Sequence, residues 1–423
     1  MKSSLFDPSY VRPLFPALSE TDEKAQPLIF FDGPGGTQVP QSVIDAMSDY
    51  LRRRNANVHA PFTTSQRTDA TVAAAHQAMA DFLNAPSPDE IIFGPNMTTL
   101  TFAFSRALAR TWQPGDEVIV TRLDHDANIA PWLALEEQGI VVRHLDFDPE
   151  DCTLRLDELG SLLNDRTRLV AVGGASNAVG TVNPIQAIVR MAHDVGAQVL
   201  VDAVHLAPHQ GIDVQQLGCD FLACSVYKFY GPHVGVLWGR YDQLVRLPAY
   251  KVRPSPDLPP GKWMTGTQNH EGLAGTVAAI DYIATVGREY GSAYAAAYSG
   301  LQGRRLHLKQ GLAVMQAYEQ RLFAYLLDGL ESIPGVRIFG ITARDRLHER
   351  TPTAAIRLRD IRPEELCRRL ALHGIATYAG HMYALAVIER LGLLEAGGVL
   401  RIGLSHYNTQ AEVDTLLNLL SDL

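Results

Sequence analysis

The sequence predicts an α/β protein: a large domain with a mostly parallel seven-stranded sheet, then a smaller α+β domain at the C-terminus. Short runs rich in β-branched residues recur between residues 90 and 238. Amphipathic segments separate several of them, as expected for parallel strands joined by helices that cover both sheet faces. Beyond residue 270 the pattern changes to long helical segments with few further strand-like runs.

Residues 1–28 are proline-rich and irregular and read as an arm over the surface. The strand-like runs are EIIF (90–93), EVIV (117–120), GIVVRHLDF (139–147), RLVAVG (168–173), QVLVDA (198–203), FLACSV (221–226) and VGVLW (234–238). QRTDATVAAAHQAMADFLN (66–84) and PIQAIVRMAHDVG (184–196) carry helical apolar periodicity. PSPDLPPG (254–261) reads as a linker, and residues 271–332 as long helices. Strand-like GVRIFG (335–340), TAAIRLR (353–359) and VLRIGLS (399–405) follow, with helices at 362–373 and 410–421. We place the arm at 1–28, the large domain at 29–290 and the small domain at 291–423.

Composition excludes several function classes. The chain has 423 residues, 46% hydrophobic and 20% charged, as in ordinary globular proteins. A net charge of −9 argues against nucleic acid or an anionic membrane as partner. Cys152, Cys219, Cys224 and Cys367 form no CxxC pair and no metal-type cluster with histidine, so reduced thiols, a cytoplasmic location and no bound metal are expected. The N-terminus lacks the apolar core of a signal peptide, and no run approaches membrane-spanning length.

In open parallel sheets, ligands bind beyond the carboxyl ends of the strands. Polar residues gather at those ends: Asn96, Thr98 and Thr99; Asp124, His125 and Asn128; Ser176 and Asn177; Asp202 and His205; and Ser225, Tyr227 and Lys228. A lysine in apolar surroundings loses its charge readily and becomes a nucleophilic amine, suited to a Schiff base with an aldehyde cofactor. A strand-end lysine that merely snorkels is the bland alternative. One strand earlier, Asp202 could be a solvated loop residue, or the carboxylate that keeps the pyridine nitrogen of pyridoxal phosphate protonated. Thr98 and Thr99 open an apolar-periodic helix, where free N–H groups favour a phosphate; simple N-capping by Asn96 or Thr98 is the alternative. His125 could stack on a cofactor ring, and Asn177 and His205 could bond its phenolic oxygen. Arg401 interrupts an apolar strand, either to grip a substrate carboxylate with two parallel hydrogen bonds or to form a structural salt bridge.

With these residues in view, the chain resembles the class V aminotransferases, especially the cysteine desulfurase and selenocysteine lyase branch of the fold-type I pyridoxal phosphate transferases. The resemblance runs from about Phe31 to the C-terminus. It is carried by QSVIDAM (41–47), NANVH (55–59), DHDANIAPW (124–132), NAVGTVNPI (177–185), the long piece from Asp202 to Pro232, GTQN (266–269) and RIGLSHYNT (401–409). It implies that Lys228 holds the cofactor aldehyde and moves protons at the substrate α-carbon. Asp202 would pair with the pyridine nitrogen, His125 stack on the ring, and Asn177 and His205 contact its hydroxyl. Thr98, Thr99, Ser225 and Tyr227 would hold the phosphate. Thr267 would reach the site of a second subunit, implying a homodimer. Arg401 would bind the carboxylate of an α-amino acid, with His59 and Tyr378 also on the substrate side.

The departures are specific. Tyr227 stands where histidine is usual in that branch, and His205 where glutamine is common. In HGIATYAGHMYAL (373–385), Tyr378 and Tyr383 occupy the places of an arginine and the nucleophilic cysteine of the desulfurase loop. A phenol cannot accept sulfur as persulfide. The expected activity is therefore C–S lyase or β-elimination chemistry on an α-amino acid, with Tyr383 or Tyr378 as a second acid. Transamination and epimerisation share its first steps. A cofactor-binding protein without catalysis would have lost Lys228, Asp202 or Arg401, and all three are present.

Overall fold

The computed structural model describes residues 6–423, so the first five residues of the expected arm lie outside the described residues. A short strand, β1 (Ile29–Phe30), precedes the large sheet. The seven strand-like runs of the first half then form β2 (Ile91–Gly94), β3 (Glu117–Thr121), β4 (Val141–Leu145), β5 (Thr167–Gly173), β6 (Gln198–Asp202), β7 (Phe221–Ser225) and β8 (Gly235–Gly239). They make one sheet in the order β2-β8-β7-β6-β5-β3-β4. Only β8 runs against its neighbours; the other pairings are parallel. Central strands β3, β7 and β8 are buried at every position, the pattern of a sheet covered on both faces. Edge strand β4 instead alternates, with Val141 and Arg143 exposed and Leu145 buried.

The second sheet is antiparallel and contains β9 (Val336–Phe339), β10 (Thr353–Leu358), β12 (Tyr378–Gly380) and β13 (Val399–Gly403), in the order β12-β13-β10-β9. Between them β11 (Ile375–Ala376) pairs with β1, so the chain just before Asp32 is tied to the small sheet. Phe31 accordingly shares a core with Leu400 and Ile402. Thr409 and Glu412 form a reciprocal capping box that starts the last helix, Gln410–Ser421.

Two long helices join the sheets, His270–Tyr290 and Gly303–Ser332. They cross closely at Gly287 and Gly311: a Cβ on Gly287 would lie 1.8 Å from the carbonyl oxygen of His307. The second helix serves both cores. Leu308, Leu312 and Met315 pack with the large sheet, while Phe323, Leu326 and Leu330 pack under the small one.

The described part of the arm forms three 3-10 turns and is held down by side chains. Phe15 is fully buried in an aromatic group with Tyr230, Tyr282, His406 and Tyr407. No helix among the described residues is long and apolar enough to cross a membrane.

Candidate active site

The parallel strands β3, β5, β6 and β7 deliver their carboxyl ends to one side of the sheet, and the expected polar residues meet there. After β7, Ser225 leads into a 3-10 turn, Val226–Lys228, and β8 carries the chain back. The Lys228 amine donates to the carbonyl oxygens of Pro34 and of Gly35, the latter at 3.0 Å. Burial, and then the nearby Arg401 guanidinium, push its pKa down to about 7. Near neutral pH a substantial fraction of the lysine is therefore free amine, unlike a snorkelling surface lysine.

Asp202 ends β6 and is buried. Its Oδ1 accepts the Val204 N–H at 2.9 Å, and its other oxygen has no protein donor. Burial raises its pKa to about 6, an effect that a cationic partner would reverse. Behind it, Asp124 accepts from Gly173 N–H and from the Asn128 amide, each at 2.8 Å, tying the ends of β3 and β5 together. Burial raises the Asp124 carboxyl to about 7.

His125 caps the short turn after β3, its Nδ1 accepting the Ala127 N–H at 3.0 Å. Burial, with Lys228 and Arg401 nearby, lowers its pKa to about 4, so the ring is neutral at physiological pH. The Asn177 amide donates to the Met382 carbonyl at 2.9 Å, and its buried Oδ1 has no partner. His205 is buried with Nε2 3.0 Å from the hydroxyls of both Thr351 and Thr353, so that nitrogen is committed to the start of β10.

The helix Met97–Ala109 begins beside the lysine turn. Asn96 caps it, accepting the Thr99 N–H at 2.8 Å, and the Ser225 hydroxyl accepts the Met97 N–H at 3.2 Å. The capping alternative is thus realised by Asn96, while Thr98 and Thr99 stay exposed at the helix start. Tyr227 stacks on His233 at 4.9 Å between ring centroids, and its ring lies 4.8 Å from the Lys228 nitrogen.

From the small sheet comes Arg401, on β13, only 4% exposed. It donates to the Asn177 carbonyl at 3.0 Å and makes no ion pair with any carboxylate among the described residues. Its structural salt-bridge alternative is therefore not realised. Tyr378 faces it across the β12–β13 pairing, with the guanidinium 5.7 Å from its ring centroid. Tyr383 is 68% exposed and stacks on His125.

Among the described residues, neither His59 nor Thr267 makes a hydrogen bond, ion pair or ring contact with the crevice residues of its own chain. His59 sits in an exposed loop, paired with Asp69 at 3.2 Å. Thr267 is exposed on the turn before the helix His270–Tyr290.

Sequence reasoning missed the segment that faces the lysine. Asp32, Gly35 and Gly36 join Tyr227 and Tyr378 in lining a cavity of about 520 Å³. Asp32 Oδ1 is buried without a partner, and both Arg401 and Lys228 act on its carboxyl. The available signal was the run FFDGPGG (30–36), where an apolar stretch breaks at an acid followed by a glycine-rich turn.

Comparison with known proteins identifies the family. The family described as Aminotransferase class-V matches over residues 29–307 and 288–416. A probable cysteine desulfurase of Mycolicibacterium paratuberculosis is 35% identical, the match covering 98% of this chain and 58% of that longer protein. A cysteine desulfurase of Pectobacterium atrosepticum is 33% identical over 96% of this chain and 95% of its own length. The apo structure of a cysteine desulfurase from Thermococcus onnurineus superposes with a TM-score of 0.86 at 25% identity, covering 100% of this chain and 99% of that one. The fold is that of the fold-type I pyridoxal phosphate enzymes. Within them, the chain belongs to the class V aminotransferase family and is a pyridoxal phosphate-dependent enzyme.

The residues present fit that cofactor. An amine with a lowered pKa, the second carboxylate oxygen of Asp202, which no donor among the described residues reaches, and the orphaned Asn177 Oδ1 suit its aldehyde, ring nitrogen and phenolic oxygen.

Proposed function

We propose that the chain cleaves a C–S bond, or an equivalent bond at Cβ, in an α-amino acid by β-elimination, without a persulfide-forming cysteine of its own. The observation that carries the amino-acid substrate is Arg401, a buried guanidinium with no carboxylate partner. It can grip the substrate carboxylate while Tyr378 lies against it. The similarity to cysteine desulfurases supports chemistry at sulfur. The loop position that would carry the thiol is Tyr383. Cys152, Cys219 and Cys224 are buried, and the Cys367 thiol is turned to the Thr377 carbonyl at 3.3 Å.

Bound pyridoxal phosphate supplies an electron sink that acidifies the substrate Cα–H. Lys228 would hold its aldehyde until the substrate amine displaces the lysine, and the freed Nζ would then be placed to take the α-proton. Asp202 would hold the ring-nitrogen proton, Asn177 Oδ1 would accept from the phenolic oxygen when that is protonated, and neutral His125 would support the ring. Ser225, Thr98, Thr99 and Tyr227 receive the phosphate at the helix start. The leaving group departs from Cβ with the bonding electrons. The working unit is a homodimer in which Thr267 reaches the partner's site.

Purified protein loaded with pyridoxal phosphate is expected to be yellow, with borohydride abolishing the visible band and Lys228→Ala remaining folded and colourless. A panel of L- and D-amino acids then separates the reactions. Sulfide released from cysteine supports the proposal. Accumulation of the pyridoxamine form, or interconversion of enantiomers without elimination, overturns it in favour of transamination or epimerisation.

A further inference from the structure

We propose that Tyr383 is a positioning residue, whose ring and backbone clamp His125 and its turn in place, and that its phenolic hydroxyl is not needed for that clamp. The two rings stack with centroids 5.5 Å apart and planes 24° from parallel, within the offset-stacked range for aromatic pairs. The Tyr383 carbonyl accepts the Asp126 N–H at 2.7 Å, one residue after His125. The preceding carbonyl, that of Met382, accepts the Asn177 amide at 2.9 Å. Two cofactor-facing groups from separate strand ends, His125 and Asn177, are thus hooked to two successive residues of one loop.

The loop is strained in a way that makes these hooks possible. Met382 and Tyr383 both adopt left-handed backbone angles, with φ of 47° and 58°. Non-glycine residues persist there only when surrounding contacts hold them, and such strain clusters at functional sites. The Tyr383 N–H is satisfied by His381 Nδ1 at 3.1 Å. No other aromatic ring stacks on His125 among the described residues, so one face of the imidazole stays available. The clamp lies in the small domain and His125 in the large one, so the contact also links the two at the crevice. The cofactor consequence rests on the reading of His125 as the ring's support; the clamp itself does not.

The test compares Tyr383→Phe with Tyr383→Ala. In the apoprotein, the His125 titration is followed by NMR; Lys228 and Arg401, the cations acting on that ring, are unchanged in both variants. In the loaded enzyme, the dissociation constant for pyridoxal phosphate and the absorption maximum are measured. Phe is expected to match the parent in every readout. Ala is expected to move the His125 midpoint upward and to weaken cofactor binding about three- to tenfold, the worth of one aromatic pair. Phe as impaired as Ala, or Ala with an unmoved His125 midpoint, overturns the clamp. A moved midpoint with unchanged cofactor affinity and spectrum supports the clamp and instead overturns the assignment of His125 to the cofactor ring.

Discussion

The Arg401 guanidinium donates to the Asn177 carbonyl at 3.0 Å and forms no ion pair with a carboxylate among the described residues, although it is almost fully buried. A buried cation in that state is costly unless a ligand completes it. Replacing Arg401 by lysine keeps a positive charge but loses the paired donors. We expect Arg401→Lys to lower kcat/KM by roughly 10- to 100-fold, mainly through KM, and Arg401→Ala to cost more. Cofactor binding should change little in either. Steady-state kinetics with an amino acid and with its decarboxylated amine would check this: the two substrates should become nearly equivalent in the alanine variant.

Loading of the apoenzyme should follow the ionisation of Lys228. Its amine titrates near 7, so the rate of binding the cofactor aldehyde should rise with pH through that value and then level off. Arg401 contributes to the lowering, because a neighbouring cation disfavours the ammonium form. Arg401→Gln should therefore shift the midpoint to higher pH. Stopped-flow absorbance of the forming imine would show a profile independent of Arg401 if the guanidinium has no such influence.

Asp202 trades apoprotein stability against function. Its folded pKa, about 6, lies above the unfolded value near 4. At low pH the group is neutral in both states and imposes no penalty. The penalty develops as pH rises from the unfolded to the folded value and stays constant above it. Asp202→Asn can still accept from Val204 N–H, so it should stabilise the apoprotein above pH 7 by on the order of 1–3 kcal/mol. Retention of the cofactor should fall at the same time. Urea melts of apoprotein at several pH values, set beside dialysis of the loaded form, would measure both.

Gly287 should tolerate no side chain. An added methyl would meet the carbonyl oxygen of His307 at 1.8 Å and the Gly311 nitrogen at 2.6 Å, both backbone atoms of the opposing helix. Gly287→Ala should destabilise by about 3 kcal/mol or more, since the helices must separate along their length. Denaturant midpoints for this variant beside an exposed control such as Gly300→Ala would reveal the difference.

Most strands of the large sheet were legible because each is a short apolar run between turn residues, and burial on both faces leaves no alternation to misread; β4, at the edge, showed itself by β-branched residues instead. Lys228, Asp202 and His125 were legible because a sheet of this kind sends its strand ends to one edge. The two- and three-residue strands β1, β11 and β12 were not, since so short a pairing leaves no periodic trace. Asp32 and the Pro34–Gly35 carbonyls escaped for a different reason. They reach Lys228 through relationships between distant parts of the chain, the bridge from Gly403 to Asp32 and the bond from the Thr37 N–H to the Tyr227 carbonyl. The Nε2 of His205 likewise found partners, Thr351 and Thr353, that no local pattern announces.

Gly235 opens β8, and a methyl there would fall 2.3 Å from the backbone carbonyl carbon of Asn96, at the cap of the helix proposed to receive phosphate. The seat for the anion is thus shaped partly by a hydrogen atom, on a residue that offers the ligand nothing. In a screen for loss of colour, substitutions at Gly235 should surface alongside those at Lys228, and a map of ligand contacts would never nominate it. Vitamin supplementation should rescue the first kind, by restoring occupancy of a weakened seat, and leave the second untouched.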